Sequence, residues 1–115
     1  MAPSAWLARV RHDLVKRLLW PARDRRDLGG APVAGELVPR LVDGEGLAID
    51  AAALWGALRA DAPPGLALDG FTGALERALA AADAGDVAGV LALEADVEAL
   101  ARAVNALAHG LKERG

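Results

Sequence analysis

Arg11-His12-Asp13-Leu14-Val15-Lys16 is the stretch of this sequence whose residue types come nearest to doing chemistry. An imidazole can accept a phosphoryl group or a proton near neutral pH, and a lysine one helical turn on can hold the phosphoryl oxygens. At about 100° per residue, His12 points roughly 150° away from the apolar stripe Leu7/Leu14/Leu18, which predicts an exposed ring. The remaining inventory is short. There is no Cys, Ser4 is the only serine and Thr72 the only threonine, so thiolate chemistry is excluded and hydroxyl nucleophiles have almost no source. His12 and His109 belong to no metal-binding spacing, so no metal site is expected. No Gly-rich phosphate loop and no nucleophile elbow occurs, and no cofactor is expected. These features lean away from an enzyme.

Set on a bundle helix, Arg11–Lys16 resembles, over these six residues, the His-bearing helix of histidine phosphotransfer and dimerisation domains. That resemblance implies His12 as phosphoryl acceptor, with Lys16 beside it. The sequence departs from the pattern: Lys16 stands four residues after His12 rather than three, no glycine follows it, and Pro21 comes late for the kinase-type motif. A phosphoryl-accepting domain is therefore the alternative reading.

A second constellation ranks ahead of it. Trp6, Asp13 and Trp20 are spaced at seven, with Val10 and Arg17 on the same side of the same helix. Asp13 and Arg17 are placed to pair at i,i+4. Trp and Arg are the side chains most enriched at the centres of protein interfaces. The strip Trp6–Val10–Asp13–Arg17–Trp20 is thus the expected interaction surface of a non-enzymatic protein–protein interaction or self-association module. Its simplest partner is a second copy in a homodimer. Asp13, Asp24 and Asp27, interspersed among the cations, count against both a membrane surface and nucleic acid as partner.

The elements that must carry these residues are read from periodicity. From Asp86 to Lys112, Val90, Leu93, Val97, Leu100, Val104, Leu107 and Leu111 step by three and four, one stripe along one long helix. Gly89, Ala101, Ala103, Ala108 and Gly110 beside that stripe let neighbouring helices come close, which predicts a bundle rather than a free coiled coil. The first helix starts at an N-capping Ser4, with Leu7, Val10, Leu14 and Leu18 inward and Val15 and Leu19 beside them. It should end or kink at Pro21, before Gly29-Gly30 closes the element. Gly46-Leu47-Ala48-Ile49-Asp50 recurs as Gly65-Leu66-Ala67-Leu68-Asp69, each copy entering a helix with Asp50 or Asp69 as N-cap. These helices cover about 51–60 and 70–82, and the second folds back at Ala84-Gly85-Asp86 onto the long helix. Within 31–49, the spacing Val33/Leu37/Leu41 with Pro32 favours a short irregular helix. The alternative is a hairpin of Leu37–Val42 and Leu47–Ile49 around Asp43-Gly44-Glu45-Gly46.

The expected fold is one all-α domain over 1–115, an antiparallel bundle of four main helices with a short irregular segment at about 30–49. Composition agrees: 54% hydrophobic, no Tyr, one Phe. No signal peptide is read at Met1–Leu7 and no long uncharged apolar run occurs, so a cytoplasmic protein is expected. The net charge of −3 conceals an asymmetry. Residues 1–28 hold seven Lys/Arg against three Asp, while residues 29–115 hold six against thirteen Asp/Glu. The basic first helix should pack its charge against acidic neighbours or offer it to an acidic partner.

Overall fold

The computed structural model describes residues 2–29, 36–39 and 41–114, the side chains of 111–114 apart. The fold is all-α, four helical units with one small two-stranded sheet. The first unit is a rod over residues 3–28. It consists of α1 (Pro3–Val10), a π-helical segment (Arg11–Val15) and α2 (Lys16–Leu28). Its start departs from expectation. Ala2 is the N-cap and Pro3 takes the first helical position, where its missing N–H is no loss, so Ser4 lies inside the helix and caps nothing. The helix also continues past Pro21, which is half-exposed, so the carbonyl deprived of a donor can turn to water. It ends at Gly29, whose N–H bonds to the Arg25 carbonyl at 3.0 Å.

The π segment has a reason in the sequence. Trp6, Val10, Leu14, Leu18 and Ala22 are all buried and recur every fourth residue, a longer step than the 3.6 of an α-helix. A wide turn absorbs the excess and keeps all five on one side. Everything beyond it is rotated by roughly 100°, one residue's worth, relative to a straight α-helix.

The hairpin is the next correction. In place of the favoured irregular helix, β1 (Leu41–Val42) pairs antiparallel with β2 (Ala48–Ile49), Leu41 opposite Ile49 and Val42 opposite Ala48. Asp43 builds the turn: its carboxylate accepts the N–H groups of Glu45 and Leu47 at 2.8 and 3.0 Å, an alternative to helical hydrogen bonding. Of the spacing that suggested a helix, Leu37 and Leu41 are buried; Pro32 and Val33 lie outside the described residues.

The repeated segment works as an entry device in both copies, because Gly46 and Gly65 both turn the chain in the left-handed region, with φ of 83° and 96°. The aspartates then diverge. Asp50 caps α3 (Ala51–Ala60), accepting the Ala52 N–H at 2.9 Å. Asp69 is not a cap: it is the first residue of α4 (Asp69–Ala84), Leu68 holds the cap position, and the Asp69 carboxylate meets Arg59 of α3 at 2.6 Å. Thr72 completes this link, its hydroxyl accepting from Trp55 Nε1 at 2.9 Å and from Arg59 at 3.1 Å and donating to the Leu68 carbonyl.

α4 closes with a Schellman turn. Gly85 is left-handed at φ 75°, the Asp86 N–H bonds to Ala81 O at 2.8 Å, and the Gly85 N–H bonds to Ala82 O at 3.2 Å. Asp86 then caps the following helix through the Gly89 N–H at 3.0 Å, as its position suggested. That helix is not continuous. It breaks at Ala92 into α5 (Val87–Leu91) and α6 (Leu93–Arg114), with a tight step in which the Ala95 N–H reaches the Ala92 carbonyl. The step lets α5 pack between α2 and α4 while α6 leans on α1 and α4. Since α2 meets α5 and α1 meets α6, the rod runs antiparallel to the C-terminal unit.

One core receives all these elements. Val90, Leu93, Val97, Leu100 and Val104 of the long stripe are buried with the inward face of the rod; Leu107 is half-buried. Leu111 lies outside the described side chains. Trp6, Trp55 and Phe71 form an aromatic run, with centroids 6.3 Å apart for the first pair and 4.8 Å for the second.

Candidate functional site

The strip expected as the interaction surface is divided by the fold. Trp6 and Val10 are fully buried at 0% exposure and belong to the core. The Trp6 Nε1–H donates to the Leu58 carbonyl at 2.7 Å, near the end of α3, where the same carbonyl also accepts the Asp61 N–H at 3.2 Å. Trp20 is 63% exposed on α2. The π segment lies between them. The seven-residue spacing of Trp6, Asp13 and Trp20 assumes a uniform α-helix, and the wide turn removes that phase relation. Asp13 pairs with Arg9 at 3.7 Å, whereas Arg17, on the far side of the π segment, makes no ion pair among the described residues.

What remains outward is a face of α2. Lys16, Trp20, Arg23, Asp24 and Asp27 line one continuous recess, so the positions three and four apart share a side. The Lys16 ammonium lies 5.9 Å from the Trp20 ring centroid, within reach of the negative face of the indole. On its other side Trp20 borders a shallow depression with Arg17, Pro21, Glu36 and Val38. Val38 and, further along α2, Leu28 are also exposed apolar side chains, at 46% and 72%. An exposed indole with exposed Val38 beside it is the kind of surface that monomeric proteins usually keep small.

Most of the rod's other cations are occupied within the chain. Arg9 reaches Asp61 and Arg23 reaches Glu94, both at 2.9 Å, and Arg25 pairs with Glu36. The charge asymmetry of the sequence is thus partly neutralised between the rod and its acidic neighbours. Leu28, Val38 and the division of labour between Trp6 and Trp20 had no signal in the spacing of the sequence. Asp24, Arg23 and Lys16 did, since they fall at helical steps around Trp20.

His12 is exposed within the π segment, on the side that the apolar stripe implied. It borders an open cleft with Ser4, Leu7, Ala8, Arg11 and Lys16 of the rod and Asn105 of α6. Arg11 and Lys16 make no ion pair among the described residues. No cluster of three potential metal ligands occurs among the described residues. No helix among them is long and apolar enough to cross a membrane.

This chain matches no protein-family model, no curated protein and no solved structure. The reading of its function therefore stands on the face of α2 and the cleft at His12 alone.

Proposed function

We propose that this protein is a non-enzymatic interaction module that self-associates through the face of α2 centred on Trp20. The observation that carries the reading is the exposure of Trp20 beside exposed Val38, on a helix whose other side is fully committed to the core. Burying an indole contributes more than burying most side chains, and its rigid ring loses little entropy on docking. Sedimentation analysis of the wild type and of Trp20→Ser tests it. The wild type should gain mass with concentration, and Trp20→Ser should stay monomeric with an unchanged circular-dichroism spectrum. A dimer that survives Trp20→Ser refutes this surface.

A second reading, phosphoryl acceptance by His12, is favoured by one feature: an exposed imidazole in a cleft that Arg11 and Lys16 line and no carboxylate does. A ring nitrogen would attack the phosphorus of an acyl phosphate, and the carboxylate would leave. Incubation with acetyl phosphate should then place acid-labile phosphate on the wild type and none on His12→Gln. No label on the wild type counts against this reading.

A further inference from the structure

His12 does not stand alone in its cleft. Ser4, Ala8, His12 and Lys16 recur every fourth residue, the same step as the core face of the rod. On a uniform α-helix that row would drift by about 120° between Ser4 and Lys16, and the π segment takes up roughly 100° of it. The row therefore keeps to one side, with Leu7 and Arg11 beside it and Asn105 of α6 across the cleft. Every polar side chain lining the cleft can donate a hydrogen bond, and none is a carboxylate. Arg11, His12, Lys16 and Asn105 are all exposed, so their donors are open to a ligand. The carboxylates close by are Asp13, which pairs with Arg9 at 3.7 Å, and Glu94, which pairs with Arg23 at 2.9 Å. Glu98 borders the adjoining recess with Arg11 and Lys16 but forms no ion pair among the described residues. The Lys16 ammonium lies 5.9 Å from the Trp20 ring centroid, an exposed contact weak enough to yield to an anion.

We propose that this cleft binds a small phosphate monoester, its phosphate held by Arg11, His12 and Lys16 and its organic part lying over Leu7 and Ala8 toward Ser4. Arg11 offers a planar fork to two phosphate oxygens, Lys16 a point charge, His12 a ring N–H, and Asn105 an amide from the opposite wall. A recess lined by cations, with no carboxylate among its walls, concentrates a dianion. Its volume of about 540 Å³ exceeds what inorganic phosphate fills, which leaves room for the organic part. No covalent bond is formed, so the inference rests neither on phosphoryl acceptance by His12 nor on self-association at Trp20.

His12 and His109 are the only histidines, so proton NMR at fixed pH and ionic strength reports on the cleft directly, with His12→Gln assigning the signals. Phenyl phosphate should move the His12 ring signals along a saturating curve, half-complete near about 1 mM, the range for a few exposed charge-assisted contacts. The signals of His109, which does not border the cleft, should move much less. Inorganic phosphate should act at the same signals more weakly. Arg11→Gln and Lys16→Gln should each weaken binding by about threefold or more, and Lys16→Arg should retain it. Asn105→Asp, which sets a carboxylate across from the cations, should weaken it by about tenfold or more, while Glu98→Gln should tighten it. These side chains are exposed, so circular dichroism should stay unchanged throughout. Unmoved His12 signals, or signals of both histidines that shift together without saturating, overturn the proposal. Asn105→Asp binding as the wild type does places the anion outside the cleft and also overturns it. So does a protein that sediments with vesicles of phosphatidylcholine and phosphatidic acid while phenyl phosphate leaves His12 unmoved, since the cations would then serve a lipid surface. A cleft that binds phenyl phosphate yet takes no phosphoryl group from acetyl phosphate supports this inference while the phosphoryl-acceptor reading falls.

Discussion

Trp6 and Trp20 lie on one rod, yet one is sealed from water and the other stands in it. The difference is a matter of partners. Trp6 has an aromatic neighbour in Trp55 and a carbonyl for its N–H at Leu58, so burial leaves no polar atom unpaired. Trp20 has only the Lys16 ammonium beside it and a shallow depression on its flank. Removing each should therefore read differently in a urea melt of the monomer. Trp6→Ala should cost about 3–5 kcal/mol, the range for deleting a large aromatic from a core. Trp20→Ala should cost less than about 1 kcal/mol, an exposed cation–π contact being worth little more. Equal losses would mean that Trp20 is part of the monomer core. His12→Gln should likewise leave the melting temperature within a few degrees, as ordinary surface changes do.

Between elements, α4 and α5 come close together at Gly89. A Cβ there would sit 2.7 Å from the Ala81 Cβ on α4 and collide with the Asp86 carboxylate that caps α5. Replacing glycine by alanine inside a helix ordinarily gains up to about 1 kcal/mol. Gly89→Ala should instead lose roughly 1–3 kcal/mol, because the α4–α5 turn would have to open and the Asp86 cap would be displaced. Thermal melts of this variant decide it; a gain would show that α4 and α5 are not so closely joined. Along α6 the expected cost of truncation is graded. Leu100→Ala should lose about 2–5 kcal/mol, while half-buried Leu107, packed near Gly65, should lose clearly less. The long stripe is core at its centre and thins toward its C-terminal end.

Over the whole molecule, ion pairs fasten the basic rod to acidic neighbours: Arg9–Asp61, Arg23–Glu94 and Arg25–Glu36. Their side chains are between 29% and 53% exposed, so solvent screens them and each contributes at most about 1 kcal/mol. Arg9→Ala and Arg23→Ala should each shift the urea midpoint only slightly, and added salt should do no more. A large loss from either would mean that charge, rather than the shared apolar core, holds the rod in place. The core is the stronger candidate, since the rod inserts Trp6, Val10, Leu14, Leu18 and Ala22 as one continuous face.

Much of this arrangement was legible along the chain, and the residues say why. Helical class, the core stripe from Val90 to Val104, the caps Asp50 and Asp86 and the reversal at Gly85 depend on neighbours within one or two turns, and a local cause leaves a local pattern. The exposure of His12 follows from the same periodicity. Other features depend on elements distant in sequence. Trp6 is buried because Leu58 offers a carbonyl, and Asp69 leaves its cap because Arg59 is within reach. The helix breaks at Ala92, where α5 and α6 take different neighbours. The π segment follows from a four-residue burial step that becomes visible only once the rod's core face is known. A spacing of seven between Trp6, Asp13 and Trp20 assumes uniform winding. The sequence by itself supplied a basic helix rich in tryptophan; the tertiary structure decided which indole faces water, because packing across the bundle set the winding between them.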